Sequence, residues 1–225
     1  MCYDHLVNSV SGLFPEEQKK LNITREEIRQ TVLHSVTKAR DYLFELDPTI
    51  RKEKLDVKFS VIIEKPTEET HIPISILIQP MTKCHSPPII CDVYNVVRQN
   101  ALVKDSFWVR QREAYYEKSG PSVEEILLCE NNEIFEGGQS NFFMVKGDTV
   151  YTRGEGVLQG TVRSMVINLC QKLGIPLSME APLLSEISSW DACFLTSTSR
   201  FLMNIDRVRV GVKWRWIMSR RMEWF

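Results

Sequence analysis

The feature that most constrains the fold of this chain is a run of short strand-like segments between residues 125 and 151. Aromatic and β-branched residues dominate the segments, and turn pairs such as Asn131-Asn132 and Gly147-Asp148 separate them. The predicted strands are Glu125–Cys129, Ile134–Phe135, Asn141–Lys146 and Thr149–Tyr151. Short strands joined by tight turns are typical of an antiparallel sheet, and we expect one here.

The first 80 residues have a different pattern, which predicts a small α+β unit. Thr24 and Glu27 fit a capping box, with the threonine at the N-cap and the glutamate at N3. Apolar residues then recur at helical spacing until Asp47-Pro48 ends the predicted helix. Two predicted strands follow, at Val57–Ile63 and His71–Ile78.

A polar segment interrupted by prolines, residues 79–88, is the predicted linker to a second unit. The apolar, β-branched segment Ile89–Val97 is predicted to be a strand. A helix is predicted next, capped by Asp105 or Ser106 and stopped by Gly120.

Another helix is predicted after Gly160, because apolar residues recur at helical spacing from Val162 to Leu173. Cys193–Thr198 is the last predicted strand, and it ends in hydroxyl side chains. The predicted fold class is therefore α+β. The predicted domains are an incomplete N-terminal α/β domain with its linker, a C-terminal domain and an atypical tail, at residues 1–88, 89–208 and 209–225.

Composition excludes several classes of function. The chain is 43% hydrophobic and 25% charged with a net charge of -1, which favours neither nucleic acid nor an anionic membrane. Its six cysteines are scattered, as in the reduced core of an intracellular protein. Cys84, His85 and Cys91 lie close together, but a fourth ligand at zinc-finger spacing is absent, so no metal site is predicted.

Four features could take part in ligand binding or catalysis, and each also has a purely structural explanation when it is considered alone. The glycine at Gly160 opens a helix whose first N–H groups could hold a phosphate, but glycine before a helix is commonly only a turn. The hydroxyl cluster at residues 196–199 could donate to the same anion or simply end a strand. Glu136 precedes a Gly-Gly turn and could pair with a protonated ring nitrogen, and Lys104 is one lysine among many.

The order and spacing of these features carry more weight than any one of them. The segments VKDSFWVRQRE, LLCENNEIFEGGQSNFFMV, GVLQGTVR and CFLTSTSR follow one another in the chain. Together they resemble the class IV aminotransferases, the fold-type IV pyridoxal-phosphate enzymes. That group includes branched-chain aminotransferases, D-amino-acid aminotransferases and 4-amino-4-deoxychorismate lyases. The resemblance extends from about Asp92 to Val208.

The resemblance implies two domains with pyridoxal 5'-phosphate between them and roles for individual residues. Lys104 is implied to form the Schiff base and to move the proton between the substrate α-carbon and the cofactor. Glu136 is implied to pair with the pyridine nitrogen. The implied remaining cofactor contacts are Gly160, Thr161, Val162, Ser197 and Thr198. Ser199 and Arg200 border the place where family members meet the substrate carboxylate, and Arg200 is the predicted clamp.

The two ends depart from the resemblance. Family members are expected to carry an arginine for the cofactor phosphate near their start, whereas no arginine precedes Arg25 here. We therefore expect the first strands of the small domain to be missing. Three tryptophans lie in the last dozen residues, where the family is expected to have a closing helix. An intracellular location is expected, in the cytoplasm or in a plastid or other organelle, with any targeting segment lost.

Three functions remain open from the sequence. The first is an aminotransferase that moves an amino group between a small amino acid and a 2-oxo acid through Lys104, acting as the homodimer that the resemblance implies. The second is a lyase of the aminodeoxychorismate type, which would use the same residues. The third is a catalytically silent isoform that acts as an interaction subunit. A P-loop enzyme is excluded, because LQGTVR lacks the required lysine and glycines.

Overall fold

A computed structural model describes residues 2–54, 56–81, 87–211 and 213–216. The chain divides into two compact units, Met1–Lys83 and Cys84–Phe225. The division falls within the segment that the sequence predicts as a linker. Cys84 and His85, which raised the question of zinc, lie outside the described residues.

In its described residues, the first unit contains four helices and one antiparallel strand pair. Its helices are α1 at Cys2–Leu13, α2 at Pro15–Lys20, α3 at Arg25–Leu46 and α4 at Pro48–Lys52. Its strands are β1 at Val57–Ile63 and β2 at Ile74–Pro80. The capping box is confirmed, because the Glu27 N–H donates to Thr24 Oγ1 at 3.1 Å and the Thr24 N–H donates to Glu27 Oε2 at 3.4 Å.

The core of the first unit forms where α3 packs on α1. Ile28 and Val32 of α3 are fully buried against Val7 and Val10 of α1. These four residues lie at spacings of three or four, so each helix presents one apolar face to the other. α3 ends at Leu46, just before the proline that begins α4, as the sequence predicts.

The second unit is a large sheet with two long helices. Its helices are α5 at Ser106–Ser119 and α6 at Thr161–Leu173, with a 3₁₀ helix at Leu184–Ser189. Its first strands are β3 at Ile90–Asn95, β4 at Glu125–Glu130, β5 at Glu133–Gly137, β6 at Asn141–Lys146 and β7 at Thr149–Tyr151. Its later strands are β8 at Leu177–Ser178, β9 at Ala192–Ser197, β10 at Phe201–Asn204, β11 at Arg207–Val210 and β12 at Lys213–Trp216.

The sheet is mixed, whereas the sequence predicted an antiparallel one. In the described residues it has ten strands, eight of them in the order β10-β9-β6-β5-β4-β3-β11-β12, while β7 pairs with β6 and β8. β3 is parallel to both β4 and β11, and β7 is parallel to β8. The cause for β3 and β4 is α5, which forms a crossover between them and returns the chain in the same direction. The α+β class is confirmed.

The predicted tail begins inside the sheet. β11 crosses the boundary at residues 208 and 209, and it forms a hairpin with β12 through Gly211. Arg209 donates from Nε to Oδ1 of the buried Asp92 on β3 at 2.5 Å. Residues 209–216 are therefore part of the sheet, and residues 217–225 lie outside the described chain.

The two faces of the sheet have different coverings. One face holds the larger apolar core, which includes Leu127, Phe142 and Leu195. On the opposite face, Trp108 of α5 packs on β4, and Cys170 of α6 packs on β6 and β9. The second face is the one that positions the candidate site.

Candidate active site

A row of three buried polar residues crosses the face that α5 and α6 cover. Glu136 of β5 lies directly opposite Asn141 of β6, which lies opposite Thr196 of β9. Residues opposite one another on neighbouring strands point to the same side of a sheet. Phe143 lies two residues from Asn141, and Phe194 lies two residues from Thr196, so both point to the same side as the three polar residues. The two rings stack on one another and pack under α6, which shows that this is the side that α6 covers. Glu136, Asn141 and Thr196 form what we call the polar row.

The polar row holds the loop that leads into α6. The Leu158 N–H donates to Glu136 Oε2 at 3.1 Å, and the Leu158 carbonyl accepts from Asn141 Nδ2 at 2.6 Å. The N–H and the carbonyl of Leu158 are therefore both hydrogen-bonded to the sheet. Arg163, only 2% exposed, adds a bond from Nη2 to the Arg153 carbonyl at 2.8 Å. The start of α6 is consequently fixed against the polar row.

Glu136 is a carboxyl whose charge is poorly compensated. Burial raises its pKa to about 7, although the guanidinium of Arg98, the Leu158 N–H and the guanidinium of Arg163 act in the opposite direction. The side chain is 4% exposed, so water contributes little to its ionised form. A cation placed against it would stabilise the carboxylate. The protonated nitrogen of a pyridine ring is a cation of that kind.

The N-terminus of α6 has the features of an anion-binding helix start. Gly160 is its N-cap residue, and no side chain caps the first turn. The Thr161 and Val162 N–H groups therefore begin the helix at the positive end of its dipole. A Cβ on Gly160 would lie 2.2 Å from Asn141 Oδ1, so the backbone approaches the polar row as closely as it does only because the residue is glycine.

The predicted hydroxyl cluster divides into different environments. Thr196 is 1% exposed, and its Oγ1 has no hydrogen-bond partner among the described residues. Ser197 Oγ accepts from the Arg200 N–H at 3.2 Å, which closes the turn after β9. Thr198 and Ser199 are exposed in that turn. The predicted contacts of Ser197 and Thr198 with the cofactor stay predictions.

Arg200 is held by another buried residue. Its Nη2 donates to Glu125 Oε2 at 2.5 Å, and its Nη1 approaches the Glu124 carbonyl at 3.5 Å. The predicted substrate roles of Ser199 and Arg200 stay predictions. No local pattern indicates the partnership with Glu125, because the two residues are 75 positions apart.

Lys104 lies in the segment that leads into α5. The next residue, Asp105, caps the helix by accepting from the Phe107 N–H at 2.8 Å. Arg98 donates from Nη2 to the Val103 carbonyl and so holds the intervening turn. Burial lowers the pKa of Arg98, while the carboxylates of Glu136 and Asp105 act to raise it. One guanidinium thus interacts with Glu136 and with the residue beside Lys104, an arrangement that the sequence analysis missed.

The described chain offers neither a metal-binding cluster nor a membrane-spanning helix. No group of three or more His, Cys, Asp or Glu residues in it could hold a metal ion. None of its helices has the length and the apolar character that crossing a bilayer requires. Cys91, the described member of the Cys-His-Cys segment, is fully buried, and burial raises the pKa of its thiol well above the ordinary value.

Comparison with known families assigns the chain. A family model described as "Amino-transferase class IV" matches residues 18–208. That range covers most of the chain, so the chain belongs to the class IV aminotransferases. It includes the polar row, Lys104 and the start of α6, and the family resemblance drawn from the sequence motifs is confirmed.

Individual relatives match over shorter stretches. The "Probable branched-chain-amino-acid aminotransferase" of Rickettsia felis is 33% identical over 89 residues, which is 39% of this chain and 31% of that protein. The match thus spans about a third of the length of this curated relative.

Solved structures show the same fold over two thirds of the chain or more. The branched-chain amino acid aminotransferase of Escherichia coli superimposes with a TM-score of 0.63 at 18% identity, over 94% of this chain and 71% of its own. A hypothetical aminotransferase from Mycobacterium tuberculosis in its PLP-bound form has a TM-score of 0.57 at 10% identity, over 68% of this chain and 60% of its own. At these identities the likeness establishes the fold, and the predicted fold-type IV architecture is confirmed.

Proposed function

We propose that this protein is a pyridoxal-phosphate-dependent aminotransferase that moves an amino group between a small amino acid and a 2-oxo acid. The observation that carries the proposal is the buried Glu136 beside the uncapped start of α6. Burial raises the pKa of Glu136 to about 7, and the helix start offers unpaired amides a short distance along the same loop. A ligand with a cationic ring nitrogen at one end and a phosphate at the other satisfies both. Family membership supports the same cofactor.

Each end of the cofactor has its own set of residues in this proposal. Glu136 would hold a proton on the ring nitrogen, with Arg98 keeping the carboxylate ionised. The Thr161 and Val162 amides would bind the phosphate, with hydroxyls from the turn after β9. When bound, pyridoxal phosphate supplies an electron sink for the electrons left on the substrate α-carbon.

Lys104 would hold the cofactor covalently and would move the substrate proton. As a neutral amine it would take the proton from the α-carbon, and as an ammonium it would return a proton to the cofactor carbon next to the ring. The Asp105 cap fixes the backbone next to Lys104, so the amine is carried on a backbone segment of defined position. We also propose a homodimer, as the family resemblance implies.

The test is covalent trapping of the cofactor on Lys104. Purified protein is incubated with pyridoxal phosphate, reduced with borohydride and digested, and the modified peptide is identified by mass spectrometry. We expect the adduct on Lys104 in the unchanged protein and no adduct at that position in Lys104→Ala. Lys172→Ala, an exposed lysine in the last turn of α6, is the matched control and should leave the adduct in place.

The alternatives give different results in the same assay. A silent isoform would give no adduct from folded protein, and that result would contradict the proposal. A lyase would give the Lys104 adduct, but it would release pyruvate from aminodeoxychorismate without transferring an amino group. An amino-donor screen on the loaded protein separates it from an aminotransferase.

A further inference from the structure

A second buried carboxylate, Glu125 at the start of β4, has no exposed surface. Three side chains donate to it: the hydroxyl of Tyr116, Ser140 Oγ at 2.8 Å and Arg200 Nη2 at 2.5 Å. The donors come from α5, from the turn between β5 and β6, and from the turn between β9 and β10. One carboxylate therefore joins three segments that are distant in the sequence.

Each of these segments continues from a residue of the proposed cofactor site. α5 begins two residues after Lys104, and the turn that contains Ser140 begins two residues after Glu136. Arg200 closes the turn that carries Thr198, because its N–H donates to Ser197 Oγ. The positions of the lysine, the ring-nitrogen partner and the phosphate hydroxyl are thus tied to a single buried group.

One face of α5 supports the same turn after Glu136. Trp108 Nε1 donates to the Gly138 carbonyl at 2.7 Å, and Arg112 Nη1 donates to the same oxygen at 3.0 Å. Tyr116 lies one helical turn further along this face and bonds to Glu125. The turn itself has no spare room, since a Cβ on Gly138 would lie 2.6 Å from Ile126 Cγ1.

We infer that the Glu125–Arg200 pair is a positioning element that holds the Ser197–Arg200 turn in place for the cofactor phosphate. The inference rests on the proposed function. Glu125 itself is enclosed by its three side-chain donors and has no exposed surface to offer a ligand. It acts through Arg200, whose side chain is 10% exposed and donates to Glu125. This role differs from the predicted one, in which Arg200 binds the substrate carboxylate directly.

The experiment compares two probes that differ only in the phosphate. Dissociation constants of the full-length protein for pyridoxal phosphate and for pyridoxal are measured by absorbance titration, without any assay of activity. We expect Glu125→Gln to weaken the binding of pyridoxal phosphate at least tenfold and to change that of pyridoxal less than threefold. Arg200→Lys should give the same pattern at smaller amplitude, because an ammonium cannot reach both Glu124 and Glu125 as the guanidinium does.

Asp92→Asn is the matched control, because Asp92 is another buried carboxylate of the same sheet that pairs with an arginine, the half-buried Arg209. It should lower thermal stability about as much as Glu125→Gln while leaving the ratio of the two affinities unchanged. If Glu125→Gln does not fold, Arg200→Lys carries the comparison, since it keeps the charge that Glu125 requires.

Two results would overturn the inference. If the affinity ratio of Glu125→Gln and Arg200→Lys equals that of the unchanged protein, the pair does not position the phosphate site. If Arg200→Lys alone has an effect, and that effect is a raised KM for the amino acid at an unchanged affinity ratio, Arg200 is the substrate clamp. Failure of the unchanged protein to bind either probe at Lys104 would instead reject the proposed function, and the inference with it.

Discussion

Two buried carboxylates on neighbouring strands, Glu125 of β4 and Glu136 of β5, have opposite surroundings. Glu125 accepts from three side chains, those of Tyr116, Ser140 and Arg200. Glu136 accepts from one backbone N–H in the described structure, and burial raises its pKa to about 7. A protein completes the hydrogen bonding of a buried group whose role is structural. A buried group that binds a ligand can lack a hydrogen-bond partner in the protein, because the ligand supplies that partner.

The polar groups around the two carboxylates show the same difference in hydrogen bonding. Around Glu125, the helix α5 donates to the adjoining turn from Trp108 and Arg112. Around Glu136, the Thr196 hydroxyl has no partner in the described chain, and the first turn of α6 has no side-chain cap. Glu125 therefore belongs to a framework whose hydrogen bonds are complete, whereas the polar groups near Glu136 lack partners among the described residues, and the following experiments test that difference.

The largest effect is expected at Glu125. Substitution by alanine leaves the guanidinium of Arg200 unpaired in a site that is 10% exposed, and it also removes two hydroxyl partners. Breaking a buried pair in this way costs about 3–5 kcal/mol of unfolding free energy. Urea denaturation measures the loss. Glu130→Ala, at the exposed end of the same strand, should change the unfolding free energy by less than about 0.5 kcal/mol, and equal losses would contradict the assignment.

A pH-dependent effect is expected at Glu136. Its folded pKa is raised from 4.5 to about 7, so between these values the folded protein keeps a proton that the unfolded chain has lost. The cofactor-free protein is therefore expected to lose about 3 kcal/mol of stability as the pH rises through this window, relative to Glu136→Gln. Urea titrations at pH 4.5 and pH 8 measure the difference. Parallel pH profiles for the two proteins would show that Glu136 is already compensated.

A smaller effect is expected from Gly160→Ala, which tests how closely the α6 start approaches the polar row. The added Cβ would lie 2.2 Å from Asn141 Oδ1, and displacing that amide should cost about 1–3 kcal/mol. Gly147→Ala is the matched control, because it has open space but a φ of +58°. Its expected cost of about 1–2 kcal/mol has a conformational cause. Only the first substitution should also weaken phosphate-dependent cofactor binding.

The smallest effect is expected from a pair of buried threonines, each 1% exposed. Thr196 Oγ1 has no partner in the described chain, so Thr196→Val should raise the unfolding free energy of the cofactor-free protein by about 1 kcal/mol. Thr152 Oγ1 donates to the Phe142 carbonyl at 2.8 Å, so Thr152→Val should lower it by about 1 kcal/mol. Differential scanning calorimetry measures both. Changes of the same sign would mean that the Thr196 hydroxyl is satisfied.

Local signals in the sequence predicted most elements well. The capping box at Thr24, the cap at Asp105 and the glycine stop at Gly120 all lie at the helix ends that the structure shows. These signals work because a cap and its partners lie within four residues, so the chain carries the whole interaction in one short segment. For the candidate site, the order and spacing of the sequence motifs predicted the protein family. The comparison with known proteins confirmed that family.

The sequence by itself therefore determined the three longest helices, most of the strands and the family. The tertiary structure alone decided the parallel pairing of β3 with β4 and β11, the alignment of Glu136 with Asn141 and Thr196, and the bond between Arg200 and Glu125. These contacts join residues far apart in the chain, and no local propensity distinguishes one distant partner from another. Burial of the complete sheet selects them, because only the correct register places every buried polar group beside its partner or its ligand.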